Sequence, residues 1–173
     1  MKQLCALVLL LGFCMILSGQ QIRERGSGSN EIKFNGAYVI ENYLEFGYER
    51  AFKNNTALGL TAGFAFDESQ VFDFALLPYY RTYFGKKKAA GFFLEVHGAV
   101  YQKEEFVATW PFVYVATGQH YIGAGAGIGF GVKLLSQSNW IGELNLGAGR
   151  NFFNTDRIAK GYPRVGITLG KRF

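Results

Sequence analysis

Cysteine, histidine and proline are all scarce in this chain. Its two cysteines, Cys5 and Cys14, fall within the first nineteen residues, so the rest of the chain holds no thiol. Disulfides, zinc-thiolate sites and a cysteine nucleophile are thereby excluded from it. Two histidines, His97 and His120, make a poor basis for a metal centre. Glu95 shares a strand face with His97, which permits coordination without pointing to it, and no metal, cofactor or catalytic residue is expected. A lipid hydrolase working at a membrane, the enzymatic alternative, needs a lipid-facing histidine, serine and acid. His97 reads as inward-facing, and two residues on stands Ala99 rather than serine. No apolar run long enough for a membrane helix follows the N-terminus. Glycine (23), phenylalanine (17) and tyrosine (10) are abundant against 3 prolines, which favours β structure.

Lys2 precedes an apolar run from Leu4 to Leu17 and the small residues Ser18 and Gly19, the pattern of a secretory signal peptide over 1–19. The run falls short of the roughly 18 to 20 apolar residues that span a bilayer as a helix, which disfavours an uncleaved anchor. Phe13 is too bulky for the position before a lipidated Cys14. Residues 20–30 are polar and glycine-serine rich, so they read as a flexible periplasmic arm. The rest, 31–173, is the size of one domain. The formal charge of +5 is dispersed, and its only cluster, Lys86-Lys87-Lys88, falls in an expected turn, so no nucleic-acid partner is implied.

From residue 31 on, the sequence alternates. Strands are expected near 31–41, 43–52, 56–66, 72–84, 91–101, 119–134, 140–150 and 162–173. Eight is an even number, as a bacterial single-chain barrel requires, and alternate connections must lie on opposite sides of the membrane. Lys53-Asn54-Asn55, Gly85 to Ala90 and Leu135 to Asn139 are the expected short periplasmic turns. A tight turn near Asn42, Asp67 to Val71, and two longer loops, Gln102 to Gly118 and Asn151 to Gly161, are the expected outer connections. The fold class is therefore an all-β, eight-stranded antiparallel transmembrane β-barrel in a Gram-negative outer membrane.

Strand parity assigns the faces. Leu44, Phe46, Tyr48, Leu58, Leu60, Phe64, Phe74, Leu76, Leu94, Val96, Ile128, Phe130, Leu144 and Leu146 are expected outward, against outer-membrane lipid, with Phe66, Phe84 and Trp140 near strand ends. In the last strand Val165, Ile167, Leu169 and Phe173 share that face, and the terminal aromatic is the feature by which barrel assembly machinery recognises a substrate. Lys171 departs from that signal, since an apolar residue is usual there. Inward fall Glu45, Glu49, Arg81, Glu95, His97, Glu143, Asn145, Arg164 and Thr168. Eight strands enclose a bore just wide enough for side chains, so the glutamates need the forked guanidinium groups of Arg81 and Arg164. A plug of salt bridges is the plainer outcome, with a narrow ion or proton channel as its alternative. A soluble lipocalin-like ligand-binding barrel inverts this pattern.

Gly123-Ala-Gly-Ala-Gly-Ile-Gly-Phe-Gly131 lacks the offsets of a dinucleotide fingerprint. All five glycines share one parity and form a bare backbone stripe for side chains from facing strands. The 102–118 segment carries Phe106, Trp110, Phe112 and Tyr114, more aromatics than a solvated loop needs. It is expected to pack over the barrel mouth or to contact a surface partner.

Three groups of motifs carry a family resemblance: Phe46-Gly-Tyr-Glu-Arg50 with Leu58-Gly-Leu-Thr-Ala-Gly63; Leu77-Pro-Tyr-Tyr-Arg-Thr-Tyr-Phe84 with Gly91-Phe-Phe-Leu94; and Gly123 to Gly131 with Gly147-Ala-Gly-Arg150. The chain resembles the small outer-membrane barrel proteins of Bacteroidota, in particular the family catalogued as domain of unknown function 3575. The resemblance implies a barrel fold and an outer-membrane location, without a catalytic signature. A structural or surface-interaction role follows as the expectation.

Overall fold

The computed structural model describes residues 28–66, 72–109 and 113–173, leaving out the side chains of 106–109 and 113–116. The expected signal peptide, most of the arm and the Asp67 to Val71 connection lie outside the described residues. Eight antiparallel strands form a closed barrel in chain order: β1 (Asn30–Asn35), β2 (Tyr43–Ala51), β3 (Thr56–Ala65), β4 (Phe74–Tyr83), β5 (Gly91–Thr109), β6 (Val113–Leu135), β7 (Trp140–Asn151) and β8 (Gly161–Arg172). Closure is made by β1 on β8, from Glu31 opposite Arg172 to Asn35 opposite Thr168.

The connections divide between two ends. At the turn end, 52–55, 84–90 and 136–139 join strands beside Asn30 and Phe173, whose backbones exchange hydrogen bonds of 3.1 and 2.8 Å. Asn55 and Asn139 take φ of 57° and 65° there, a left-handed geometry that asparagine tolerates better than most residues. At the mouth end lie 36–42, Phe66, Phe72 and Asp73 beside the ends of β3 and β4, and 152–160, and toward it run the C-terminal end of β5 and the N-terminal end of β6.

Two expected boundaries are corrected. The first strand stops at Asn35 instead of running to 41, and a 3₁₀ turn, Val39–Glu41, follows. The Asn35 side chain causes the stop. Its Oδ1 accepts the N–H groups of Ala37 and Ile167, both at 3.0 Å, while its Nδ2 donates to the Val165 carbonyl at 3.0 Å. An amide thus replaces the next ladder step against β8. The second correction concerns Gln102 to Gly118, expected as a loop, where 102–109 and 113–118 are strand. β5 and β6 run through it as a paired ribbon, with a register shift between Glu104 and Phe106. Its Val, Thr, Phe and Tyr residues are strong strand formers. Pairing of β5 with β4 ends at Gln102 and pairing of β6 with β7 begins at Gly125, so the ribbon projects beyond the barrel.

The wall alternates as a pleated strand must. Phe46, Leu58, Leu60, Leu94, Val96, Ile128, Phe130, Leu144, Leu146, Ile167 and Leu169 face outward and are exposed, whereas Glu45, Glu49, Arg81, Glu95, Glu143, Arg164 and Arg172 are buried inside. Leu44 is half-buried on the outer face. Pro78 sits within β4, and pairing with β5 skips it and Leu77, because proline has no N–H for the ladder.

Candidate functional site: the charged lumen

Five carboxylates and five cations fill the bore. Glu31, Glu45, Glu49, Glu95 and Glu143 face Lys33, Arg81, Lys133, Arg164 and Arg172, all of them buried. The formal charges cancel, which a lumen of low dielectric requires, since an unpaired buried charge is costly.

Glu49 on β2 is the hub. One carboxylate oxygen accepts from Lys33 Nζ at 2.6 Å, Arg81 at 3.0 Å and the Tyr79 hydroxyl at 3.0 Å; the other accepts from Lys133 Nζ at 2.5 Å and the Tyr83 hydroxyl at 2.8 Å. Arg81 on β4 bridges three acids, reaching Glu95 at 2.7 Å and Glu143 at 2.8 Å besides Glu49. Its guanidinium also lies over two rings, 4.4 Å from the Tyr79 centroid and 4.2 Å from that of Phe93, where the π faces attract the cation.

Toward the mouth, Arg164 donates to Glu95 at 2.7 Å and lies 3.8 Å from Glu45, which accepts from Asn35 at 3.0 Å. Toward the turn end, Arg172 is held by Glu31 at 2.5 to 2.8 Å and donates to the Lys88 and Ala89 carbonyls, both at 2.8 Å. The same arginine therefore ties the plug to the β4–β5 turn. A cavity of about 20 Å³ remains beside Lys33, Glu45, Arg81, Asn145 and Arg164, room for about one water molecule.

The glycine stripe works as a set of recesses. A Cβ on Gly131 falls 2.6 Å from Phe93 Cζ, one on Gly127 2.5 Å from His97 Nε2, and one on Gly123 2.4 Å from Tyr101 Cζ. Only a bare backbone on β6 admits these three β5 side chains.

Above the charges, Tyr43, Phe72, Ala75, Leu77, Ala99, Tyr101, Ile158 and Tyr162 form an apolar stopper. The Phe72 and Tyr101 rings lie 4.6 Å apart and those of Tyr101 and Tyr162 5.6 Å apart. Ile158 comes from the 152–160 connection, and Tyr38, outside the strands, packs alongside with its hydroxyl accepting the Val165 N–H at 2.9 Å. Burial raises the Tyr38 phenol above its ordinary pKa. Among the described residues, Phe72, Ile158 and Tyr38 cover the mouth. The expectation that the aromatics of 102–118 pack over the mouth or contact a partner falls on side chains outside the described residues. Trp110 and Phe112 lie outside the described residues; Phe106 and Tyr114 have described backbone only, in the ribbon.

The bore brings together every residue expected in the polar network: Glu45, Glu49, Arg81, Glu95, His97, Glu143 and Arg164 are all buried in it. His97 Nδ1 sits 3.1 Å from Glu95 without hydrogen-bond alignment, and its ring packs on Tyr162 at 5.8 Å. His120 is remote from it, half-exposed at the mouth and 2.7 Å from Asp73. Val165, Ile167, Leu169 and Phe173 lie on or beside β8, the last three exposed on its outer face and Val165 half-buried. Sequence reasoning missed Glu31, Lys33, Lys133, Arg172 and the donors Tyr79 and Tyr83 as members of the network. Parity holds the signal: Lys133 continues the odd positions of Gly123 to Gly131, and Glu31 and Lys33 alternate with outward Ile32.

Among known proteins, the family model described as protein of unknown function DUF3575 matches residues 5–167. No curated protein and no solved structure matches the chain.

Proposed function

The chain belongs to the DUF3575 family, and we propose that this member is an outer-membrane transmembrane barrel of a Gram-negative, Bacteroidota-type cell, delivered by a signal peptide over 1–19, with a structural or surface-interaction role and no enzymatic activity. One observation carries the reading: the closed barrel is apolar outside and charged within. On the outer face of β4, Phe74 to Phe84 spans ten residue steps, about 33 Å along the strand and about 25 Å along the axis at the usual tilt, the height of a lipid-facing band. Exposed aromatics, Phe64, Phe66 and Phe74 toward the mouth and Phe84, Phe92 and Trp140 toward the turns, bound the band as interfacial girdles do. The short turns then face the periplasm and the ribbon faces outward, where it is the proposed contact surface for a partner.

The lumen supports a plug over a channel or a lipocalin-like cup. Its cations each lie against carboxylates, its free volume is that of one water, and the aromatic stopper closes the mouth. Planar-bilayer recordings test this. The refolded protein is expected to give no reproducible conductance steps, and Arg81→Gln none either. Discrete steps that change with Arg81→Gln overturn the plug.

A further inference from the structure

The ionisable residues outside the lumen are segregated by end. At the turn end, the outer surface carries Arg50, Lys53, Lys86, Lys87, Lys88 and Lys171, and among the described residues no acidic side chain faces outward there, since Glu31 is buried against Arg172. The mouth end is mixed: Glu41, Asp73, Glu104, Glu105 and Asp156 accompany Lys103, Arg150, Arg157 and Lys160. A merely solvating surface has no reason to sort its charges this way.

None of the six turn-end cations is in an ion pair among the described residues. Three have only neutral oxygens for partners: Lys87 Nζ meets the Leu135 carbonyl at 3.3 Å, Lys88 Nζ the Ser29 hydroxyl at 2.7 Å, and Lys171 Nζ the Ser138 carbonyl at 2.6 Å. Among the described residues, no acidic side chain pairs with them. Their depth is also set, because Lys171 is the register partner of Trp140 and its Nζ lies 4.9 Å from that ring. Phe84 and Phe92, with rings 5.9 Å apart, stand at the root of the Lys86 to Lys88 turn. The order along the wall is thus aliphatic, aromatic, cationic, which is the order of acyl chain, interface and headgroup in a lipid leaflet.

We propose that the turn end is a docking ring for the phosphodiester headgroups of anionic phospholipids, so that this end seats in an anionic leaflet. The inference rests on the membrane-spanning reading above. An acidic protein is the other source of negative charge, but cations directly bordering an aromatic belt sit at headgroup depth rather than out in the aqueous phase.

Trp140 reports on this ring. With Trp110→Phe it becomes the sole tryptophan, and the refolded protein is inserted into vesicles of mixed phosphatidylcholine and phosphatidylglycerol in which one lipid or the other is brominated. Brominated phosphatidylglycerol is expected to quench Trp140 with an association constant about fivefold higher than brominated phosphatidylcholine, the preference that roughly one lysine's attraction to an anionic surface confers. The preference should vanish in 0.5 M salt, on the order of the screening needed to suppress it, and should fall in Lys86→Gln/Lys87→Gln/Lys88→Gln. Equal quenching by the two lipids overturns the docking ring while leaving the barrel in the membrane. Quenching by neither overturns the membrane reading itself.

Discussion

Arg81 shows what a single side chain does in a bore this narrow. Its guanidinium touches Glu49, Glu95 and Glu143 and lies over the rings of Tyr79 and Phe93. Arg81→Met leaves three buried carboxylates short of a cation, and removing one partner of a buried pair costs about 3 to 5 kcal/mol. Urea unfolding of the refolded protein in vesicles should show that loss. Adding Glu95→Gln should recover part of it, since the second change removes one of the stranded charges. A loss below about 1 kcal/mol, with no recovery in the double variant, means that the network is loosely held and hydrated. Arg81, Glu95 and Arg164 were legible from strand parity and the width of an eight-stranded bore. The hub role of Glu49 was not, because it depends on which residues of β1, β4 and β6 meet across the lumen, and parity gives a side chain's face without its height.

At the scale of elements, five of the eight strands were legible to within about two residues at each end, because alternation is strong wherever one face is apolar and the other is charged or glycine. The exceptions have local causes. β1 is cut short by the Asn35 amide, which copies a backbone ladder step. β5 and β6 overrun because Gln102 to Gly118 combines loop-like charges, Lys103, Glu104 and Glu105, with strand-forming Phe, Val, Thr and Tyr, and pairing prevailed. Beyond Gln102 and before Gly125 the ribbon pairs with neither β4 nor β7, so the barrel does not depend on it. Deleting 106–114 should leave the boiled and unboiled gel mobilities as different as in the full chain, while intact-cell crosslinking to any surface partner is lost. If the deletion abolishes the compact unboiled form, the ribbon is part of the barrel's stability.

For the whole molecule, the central claim is that the apolar outer wall faces lipid. A barrel of this size in water buries apolar side chains within and exposes polar ones, whereas this chain buries a charged network within and exposes apolar side chains along its wall. Its lumen holds ten ion-paired side chains, from Glu31 to Arg172, while its outer wall exposes large apolar side chains on every strand: aromatic on β2, aromatic and aliphatic on β3 to β5, and an aliphatic band on β6 to β8. Monomeric soluble proteins rarely expose a contiguous apolar band of this extent. Detergent-free fractionation of cells making the full-length chain tests this most directly. The protein should sediment with membranes, withstand a high-salt and alkaline wash, and be released by detergent alone. Recovery of the folded protein in the soluble fraction contradicts the account.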